Sequence, residues 1–313
     1  MQARSLRYVL VDVFAESRFA GNQLAVVLGA DALSTYQMQT IAAEFNLAET
    51  TFPMELTEQD EAVGADYRVR IFTASREIPF AGHPTLGTAW VLARQGLLGA
   101  GARLQACGAG LVGVDVPAAD TEPLELRSKP RDLSAALSGP AATECARSVG
   151  LDPADLAGPA FVAGCGLSFV HLPVLVASLA RARPRLAEMR DVDLGDFALQ
   201  DPLIGLNVYA VLPGAEDATD LMVRSRVFVP GPSVPEDPAT GSAAVGLGMA
   251  LVASGLAEPE GTTRYDIAQG VELGRPSRLW GRVSAEAGSA VTCWVAGRVQ
   301  PIGEGAIAVP DVS

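Results

Sequence analysis

One of the two histidines in the chain lies in a segment whose residue types could do acid/base chemistry. His83 stands directly before a proline in Phe80-Ala-Gly-His-Pro-Thr-Leu-Gly-Thr-Ala-Trp90. Because imidazole titrates near neutral pH, His83 could serve as a general acid or as a hydrogen-bond donor to a substrate. A structural role remains open as well, in which His83 caps a helix that begins at Pro84 or fills a buried turn.

A second segment repeats this pattern later in the chain. At an offset of 154 residues (237 − 83), His83 falls on Asp237 and Pro84 falls on Pro238. Each segment predicts a strand, a turn rich in proline and glycine, and a helix that begins at the proline, since proline is favoured at the first helical position. Asp237 is then predicted to be the N-cap of the second helix, a role that does not exclude a part in chemistry.

This internal repeat predicts two similar lobes whose helix N-termini could face each other across a cleft. The N–H groups and dipoles of two helix starts favour carboxylates and developing oxyanions, and glycines let a ligand approach the backbone. His83, Asp237 and Ser242 would line such a site. For Ser242 the alternative is simple packing of a small residue inside its helix.

Glu49 is a further candidate, in Asn46-Leu-Ala-Glu-Thr-Thr-Phe52. A carboxylate beside strand-forming residues is unusual, because strands are depleted in Glu. Burial would raise its pKa and suit it to moving protons. Without other support, the residues alone favour a solvated loop carboxylate.

The elements that must position these residues are mostly strands. Apolar alternation predicts strands at 8–14, 24–28, 67–72, 110–116, 124–127, 167–172, 207–212, 221–229 and 291–299. Helices are predicted from Ser34 to about Asn46 and at 84–95, 174–189 and 240–254, with Pro184 splitting or kinking the third. Many strands with few helices predict an α+β fold, with a domain boundary near 117–130.

The composition excludes several classes of function. The chain has 313 residues, 49% of them hydrophobic, and a net charge of −13, which argues against nucleic-acid and anionic-membrane partners. No apolar run reaches the roughly 18 residues of a membrane span, and no signal peptide is recognisable. Four separated cysteines predict a cytoplasmic protein with reduced thiols, and two histidines are too few for a typical zinc site.

The sequence argues against two other kinds of active site. Gly108-Ala-Gly-Leu-Val-Gly113 fits the G-x-G-x-x-G pattern of dinucleotide sites, but a strand-like segment follows it where such a site needs a helix. A Ser-His-Asp hydrolase is disfavoured because the chain has no G-x-S-x-G motif. His171 lies in an apolar strand-like run and is predicted to be a core or edge residue.

Together, the ordered motifs resemble the PhzF-like phenazine-biosynthesis isomerases. The matching segments are Val11-Asp-Val-Phe14, Phe19-Ala-Gly-Asn22, Asn46-Leu-Ala-Glu-Thr-Thr-Phe52, Phe80-Ala-Gly-His-Pro-Thr85, Glu236-Asp-Pro-Ala-Thr-Gly-Ser-Ala243 and Gln269-Gly-Val-Glu-Leu-Gly-Arg-Pro-Ser277. The resemblance implies a diaminopimelate epimerase-like fold with two pseudo-symmetric lobes, each a curled mixed sheet around a central helix. It implies an N-terminal lobe of 1–122 joined by about 297–313, a C-terminal lobe of 123–296, and a homodimer.

The resemblance also implies the site and the chemistry, which needs no cofactor or metal. Glu49 matches the proton-moving carboxylate, and the other matched positions are His83, Asp237, Ser242, Gly82 and Gly241. The implied reaction is that of a trans-2,3-dihydro-3-hydroxyanthranilate isomerase, a proton shift on a small, carboxylate-bearing substrate. Related epimerases use two cysteines at the helix entrances, and no cysteine lies within 72–106 or 228–255. An epimerase or racemase without that pair, and a non-catalytic ligand-binding protein, remain the alternatives.

Overall fold

The computed structural model describes residues 4–190, 192, 194, 199–200, 203–214, 220–230 and 235–311. The chain divides into two compact units, which we call the N-unit (Met1–Arg127 with Ala296–Ser313) and the C-unit (Ser128–Val295). The predicted N-terminal lobe, 1–122 with 297–313, lies within the N-unit.

The described residues form eighteen strands, seven α-helices and two short 3₁₀ helices. The strands are β1 (Ser5–Val13), β2 (Asn22–Val27), β3 (Glu49–Met54), β4 (Tyr67–Phe72), β5 (Glu77–Ile78), β6 (Gly101–Cys107), β7 (Gly110–Val116), β8 (Leu124–Ser128), β9 (Asp132–Leu133), β10 (Phe161–Gly164), β11 (Ser168–Pro173), β12 (Leu203–Val211), β13 (Leu221–Phe228), β14 (Glu236–Asp237), β15 (Gly261–Gln269), β16 (Ser277–Glu286), β17 (Ser289–Gly297) and β18 (Val299–Ala308). The helices are α1 (Thr35–Phe45), α2 (Glu58–Ala62), α3 (Gly82–Arg94), α4 (Gly139–Ser148), α5 (Val176–Leu179), α6 (Leu186–Arg190) and α7 (Gly241–Ala253), and the 3₁₀ helices are Pro153–Asp155 and Val271–Leu273.

In the N-unit, a mixed sheet packs around α3. Its strands run in the order β18–β1–β2–β3–β4, antiparallel except for the parallel pair β2–β3. The other edge of β4 pairs antiparallel with β5 and parallel with β6, and β7 and β8 continue antiparallel. Residues 82–92 of α3 are all buried, and the helix packs against β1, β2, β3 and β7. A helix that is buried on every side is the core element of its unit.

The C-unit repeats this connectivity. β10–β11 is antiparallel, β11–β12 parallel and β12–β13 antiparallel, and β13 pairs antiparallel with β14 and parallel with β15. β16 then pairs antiparallel with β15, and α7, buried from 241 to 252, packs against β10, β11 and β16. The order β1-β2-β3-β4-β5-α3-β6-β7 therefore recurs as β10-β11-β12-β13-β14-α7-β15-β16, and the predicted α+β fold with two pseudo-symmetric halves is confirmed.

The predicted offset between the two segments is wrong by five residues. α3 and α7 both contain 13 residues and begin at Gly82 and Gly241, so the structural offset is 159 (241 − 82) rather than 154. At this offset His83 corresponds to Ser242. The turns that end the helices correspond as well, at Gly96 (φ 72°) and Gly255 (φ 73°).

Neither helix begins at its proline. Pro84 is the third residue of α3. Backbone N–H groups in the first turn have no partner inside a helix, so a proline, which has no N–H, is tolerated there. Pro238 lies three residues before α7. The residues that end the extended backbone are Ala81 (φ −153°) and Thr240 (φ −119°). The helices predicted at 84–95 and 240–254 therefore start within two residues of α3 and α7, but the prediction that each begins at its proline is wrong.

Several smaller predictions are confirmed. Ser34 and Gln37 form the predicted capping box of α1, and Asn46 ends that helix with φ 49°. The predicted third helix is split into α5 and α6, with Pro184 between them. The glycine-rich 108–113 segment lies in the β6–β7 hairpin and is followed by a strand rather than a helix, as predicted when it was rejected as a dinucleotide site.

Candidate active site

Glu49 and His83 lie side by side in the N-unit. Glu49 is the first residue of β3 and His83 the second residue of α3. Glu49 Oε2 lies 3.3 Å from His83 Nε2, and the two side chains are only 16% and 6% exposed. The residues around Glu49 favoured a solvated loop carboxylate, and that interpretation is wrong. Glu49 is one half of a largely buried carboxylate–imidazole pair.

Local structure holds this pair in place. The left-handed turn at Asn46 ends α1, and the chain enters β3 with Glu49 paired to Leu24 of β2. Thr51, on the same face of β3 as Glu49, lies with its Oγ1 2.8 Å from Thr88 Oγ1 of α3. This buried contact ties α3 to β3.

The approach of α3 to the sheet also depends on a glycine. A Cβ added at Gly87 would lie 2.6 Å from Leu24 Cδ2 and 2.8 Å from Val13 Cγ2, closer than carbon atoms pack. The helix therefore lies directly on β1 and β2, which places its first turn beside the start of β3.

His83 is neutral at neutral pH. Burial lowers its pKa to about 3, and the backbone of Gln23 offsets only part of that effect. Its Nδ1 lies 3.3 Å from Nδ2 of Asn22, which is also buried. A neutral imidazole acts as a hydrogen-bond donor or acceptor rather than as a reservoir of a second proton.

The first turn of α3 is a second chemical feature of the N-unit. The N-cap residue, Ala81, has no side-chain acceptor, so the backbone N–H groups of Gly82 and His83 have no partner within the helix. These groups and the positive end of the helix dipole favour an anionic ligand atom. Gly82 adds no side chain that would block the approach.

In the C-unit, the predicted cap by Asp237 is wrong. Asp237 lies in β14, paired with Val227, and the N-cap of α7 is Thr240. Thr240 Oγ1 donates a hydrogen bond of 2.5 Å to Asp237 Oδ2, so the carboxylate binds the cap residue instead of the helix. The segment Pro238–Ala239 separates the two because it stays outside the helix.

Gly241 and Ser242 are the first two residues of α7, and both are buried. The N-cap Thr240 makes no side-chain cap hydrogen bond. The N-terminus of α7 thus offers the same backbone donors as that of α3, with Ser242 at the position that His83 occupies in the N-unit.

Gln269 was missed by the sequence analysis as a positioning residue. It ends β15 and is buried; its Oε1 accepts from Thr240 N at 3.2 Å, and its Nε2 donates to Asp237 O at 2.8 Å and to Thr240 Oγ1 at 3.1 Å. Gly270 follows with φ 72°, and a Cβ there would lie 2.6 Å from Pro238 O. The end of β15 therefore holds the turn between β14 and α7 in place. The sequence pointed to Gln269 only through the match of 269–277 to a family segment.

A buried ion pair between β13 and β14 also fixes the position of β14. Arg226 Nε and Nη2 donate to the two carboxylate oxygens of Glu236 at 2.8 and 2.7 Å. Arg226 Nη1 also donates to Ala182 O at 2.8 Å. Because Glu236 directly precedes Asp237, this bidentate pair sets the position of the strand that carries the candidate carboxylate.

The described part of the chain contains no group of three or more His, Cys, Asp and Glu side chains that could hold a metal ion. None of its helices has the length and apolar character needed to cross a membrane.

Comparison with known proteins decides the family. The model of the PhzC-PhzF family, described as "phenazine biosynthesis-like protein", matches residues 11–299. The chain belongs to the PhzC-PhzF family. Membership of this family explains why the six matching sequence segments occur in family order across both units.

Individual relatives agree with this assignment. The chain is 35% identical to a trans-2,3-dihydro-3-hydroxyanthranilate isomerase of Pseudomonas aeruginosa over 88% of this chain and 90% of that one. It is 34% identical to an uncharacterized isomerase of Mesorhizobium japonicum, over 97% and 99%. A PhzF-family crystal structure from Bacillus anthracis superimposes with a TM-score of 0.81 at 23% identity, covering 98% of this chain and all (100%) of that one. The protein is thus an isomerase of the PhzC-PhzF family, and the predicted diaminopimelate epimerase-like fold is confirmed.

Proposed function

We propose that this PhzC-PhzF family isomerase moves a proton between two carbons of a small carboxylate-bearing metabolite, with Glu49 as the acid/base. The observation that carries this proposal is the 3.3 Å approach of Glu49 Oε2 to Nε2 of the buried, neutral His83. A largely buried carboxylate beside a fixed hydrogen-bonding group suits proton transfer to and from carbon. The activity named for the Pseudomonas relative, isomerisation of trans-2,3-dihydro-3-hydroxyanthranilate, supports the same type of reaction.

In the proposed mechanism, the Glu49 carboxylate takes a proton from one substrate carbon. The electron pair of that C–H bond forms a new double bond, an existing double bond shifts, and Glu49 returns the proton to the carbon at the far end. Substrate and product therefore have the same composition, and no oxidant or reductant is consumed. His83, as a neutral donor, stabilises the charge that develops during the shift.

The remaining predicted site residues have binding roles in this proposal. The backbone N–H groups of Gly82 and Gly241 and the hydroxyl of Ser242 bind anionic or polar substrate groups, and Asp237 orients the substrate. Their positions at the starts of α3 and α7 and in the clamped turn before α7 support these roles. Cofactor independence, a homodimeric state and a cytoplasmic location stay predictions.

Isotope tracing tests the reaction type. We expect the enzyme to isomerise trans-2,3-dihydro-3-hydroxyanthranilate or a close carboxylate analogue. A deuterium label at the donor carbon should move to the acceptor carbon or exchange with solvent through Glu49, as followed by NMR and mass spectrometry. Deuterium that enters a stereocentre from D₂O without a double-bond shift would identify an epimerase instead. Tight binding with the label retained in place would identify a binding protein, and either result contradicts the proposed isomerisation.

A further inference from the structure

The two histidines of the chain have matching surroundings, although they lie in different units. His171 in β11 is completely buried, with Nδ1 3.0 Å from Asn207 Nδ2 and Nε2 3.3 Å from Ala163 O. A backbone carbonyl only accepts hydrogen bonds, so Nε2 of His171 must carry the ring proton and Nδ1 must accept from Asn207. Ser225 Oγ donates to Asn207 Oδ1 at 2.5 Å, which holds the amide in this orientation.

His83 has similar surroundings with two differences. Asn22 Nδ2 lies 3.3 Å from its Nδ1, and Glu49 Oε2 lies 3.3 Å from its Nε2 without a formed hydrogen bond. The backbone of Gln23 also hydrogen-bonds the ring. An ionised carboxylate also only accepts, and a neutral imidazole has a single N–H. Burial keeps both rings neutral, with pKa values lowered to about 3 for His83 and about 4 for His171.

We propose that Asn22 is a positioning residue that holds His83 in the tautomer with its proton on Nε2, the ring nitrogen that faces Glu49. The amide donates to Nδ1, which can then carry no proton, so the ring presents a donor to the acid/base carboxylate. This tautomer matters for catalysis only if Glu49 is the acid/base, so the inference rests on the proposed function.

The turn before Asn22 fixes the position of the Asn22 side-chain amide. Phe19 adopts φ 64°, unusual for an aromatic residue, and its N–H donates to Oδ2 of the buried Asp12 at 2.8 Å. Gly21 has φ 66°, and a Cβ there would lie 2.3 Å from Val13 O. Asn22 then begins β2 in register with Val13. A turn with left-handed backbone at two positions, one of them strained because it is a phenylalanine, is consistent with a precise placement of the residue that follows it.

Nitrogen NMR of ¹⁵N-histidine-labelled protein tests the inference, because only two rings contribute signals. His83→Gln assigns the spectrum by removing one ring. We expect both histidines of the wild type to show a protonated Nε2 and an unprotonated Nδ1 from about pH 5 to about pH 9. A proton on Nδ1 of His83 in the wild type would overturn the inference, whatever the variants do.

Asn22→Asp supplies the functional arm of the test. It places a carboxylate against Nδ1 while Glu49 stays beside Nε2, so we expect Nδ1 of His83 to become protonated while the His171 signals stay unchanged. The matched variant, Asn207→Asp, should protonate Nδ1 of His171 only. If Asn22→Asp does not fold, Asn22→Ser, which weakens the donor, should give a detectable Nδ1-protonated fraction; an unchanged His83 spectrum in the variant that folds contradicts the inference.

Activity separates this inference from the proposed function. We expect Asn22→Asp to lower kcat by at least about 100-fold with a smaller change in KM, because a ring protonated on Nδ1 is no longer the neutral Nε2 donor. For comparison, a catalytic histidine held in the wrong tautomer loses roughly 10⁴ in rate. Unchanged kcat with Nδ1 protonated would remove the functional part of the inference. If instead the tautomer behaves as expected but Glu49→Gln keeps full activity, the proposed function fails while the placement of His83 stands.

Discussion

At the scale of single residues, the important result is the state of the Glu49–His83 pair. The sequence identified both side chains as candidates, through the proline-glycine turn around His83 and the family segment around Glu49. It did not predict that His83 is neutral, because that depends on burial of the ring in the folded protein. Asn22 and Gln269 stood only as members of matched family segments, with no role as partners, since amides at strand ends leave no mark on hydrophobic periodicity.

The buried histidines predict how stability depends on pH. Folded pKa values near 3 for His83 and 4 for His171 lie below the ordinary value of 6.5, so the unfolded chain binds more protons in acid. The free energy of unfolding should therefore fall as the pH drops below about 6.5, by roughly 1–2 kcal/mol for each histidine on reaching about pH 5.

Urea denaturation across this pH range measures the effect, with His83→Gln as the comparison. The variant should lose part of the acid sensitivity and keep the part that belongs to His171. An equally steep loss of stability in His83→Gln would show that His83 does not stay neutral in the folded protein.

At the scale of elements, the turn between β14 and α7 is held from β15. Gln269 supplies three hydrogen bonds to this turn, and Gly270 passes so close to Pro238 that no side chain fits. The sequence predicted the helix but placed Asp237 at its N-cap, because Asp before Pro is a common helix start. The hydrogen bond from Thr240 to Asp237 and the non-helical 238–239 segment could not be inferred, because they depend on contacts with β15, which is distant in sequence.

Gly270 and Gly274 provide a matched pair of substitutions for this clamp. They flank the same 3₁₀ helix with φ of 72° and 68°, but a Cβ at Gly274 meets no atom within 4 Å, whereas one at Gly270 meets Arg275 O at 2.4 Å and Pro238 O at 2.6 Å. Gly274→Ala should cost only the backbone strain, about 1–2 kcal/mol. Gly270→Ala should cost clearly more, because backbone atoms must move.

Urea denaturation of the two variants, together with their kcat on the same substrate, tests the clamp. We expect Gly270→Ala to lower kcat as well as stability, since the displaced Pro238 neighbours Asp237, and Gly274→Ala to leave kcat within about twofold. Equal effects of the two substitutions on stability would contradict the close approach of Gly270 to Pro238.

At the scale of the whole molecule, the chain contains the same arrangement of strands and a central helix twice. The sequence predicted this duplication, because each half carries a strand, a proline-glycine turn and a helix of small residues. It misaligned the halves by five residues, because the shared prolines lie inside α3 and outside α7. With the corrected offset, His83 and Ser242 are equivalent, which explains how one scaffold presents an imidazole at one helix start and a hydroxyl at the other.

The duplication also bears on chemistry. Equivalent helix starts supply backbone donors in both units, while the proposed acid/base, Glu49, comes from β3 of the N-unit. Neither α3 nor α7 contains a cysteine. These two helices therefore cannot supply a symmetric pair of thiols, in keeping with the proposed single carboxylate acid/base.

The turnover of Glu49→Gln tests the central claim most directly. The substitution keeps the size of the side chain and removes its ability to carry the proton. We expect kcat on a substrate that the wild type isomerises to fall by about 10²–10⁴-fold. The matched Glu44→Gln, on the exposed face of α1, should leave kcat unchanged. Wild-type turnover by Glu49→Gln, in protein shown to be folded, would contradict the assignment of Glu49 as the acid/base.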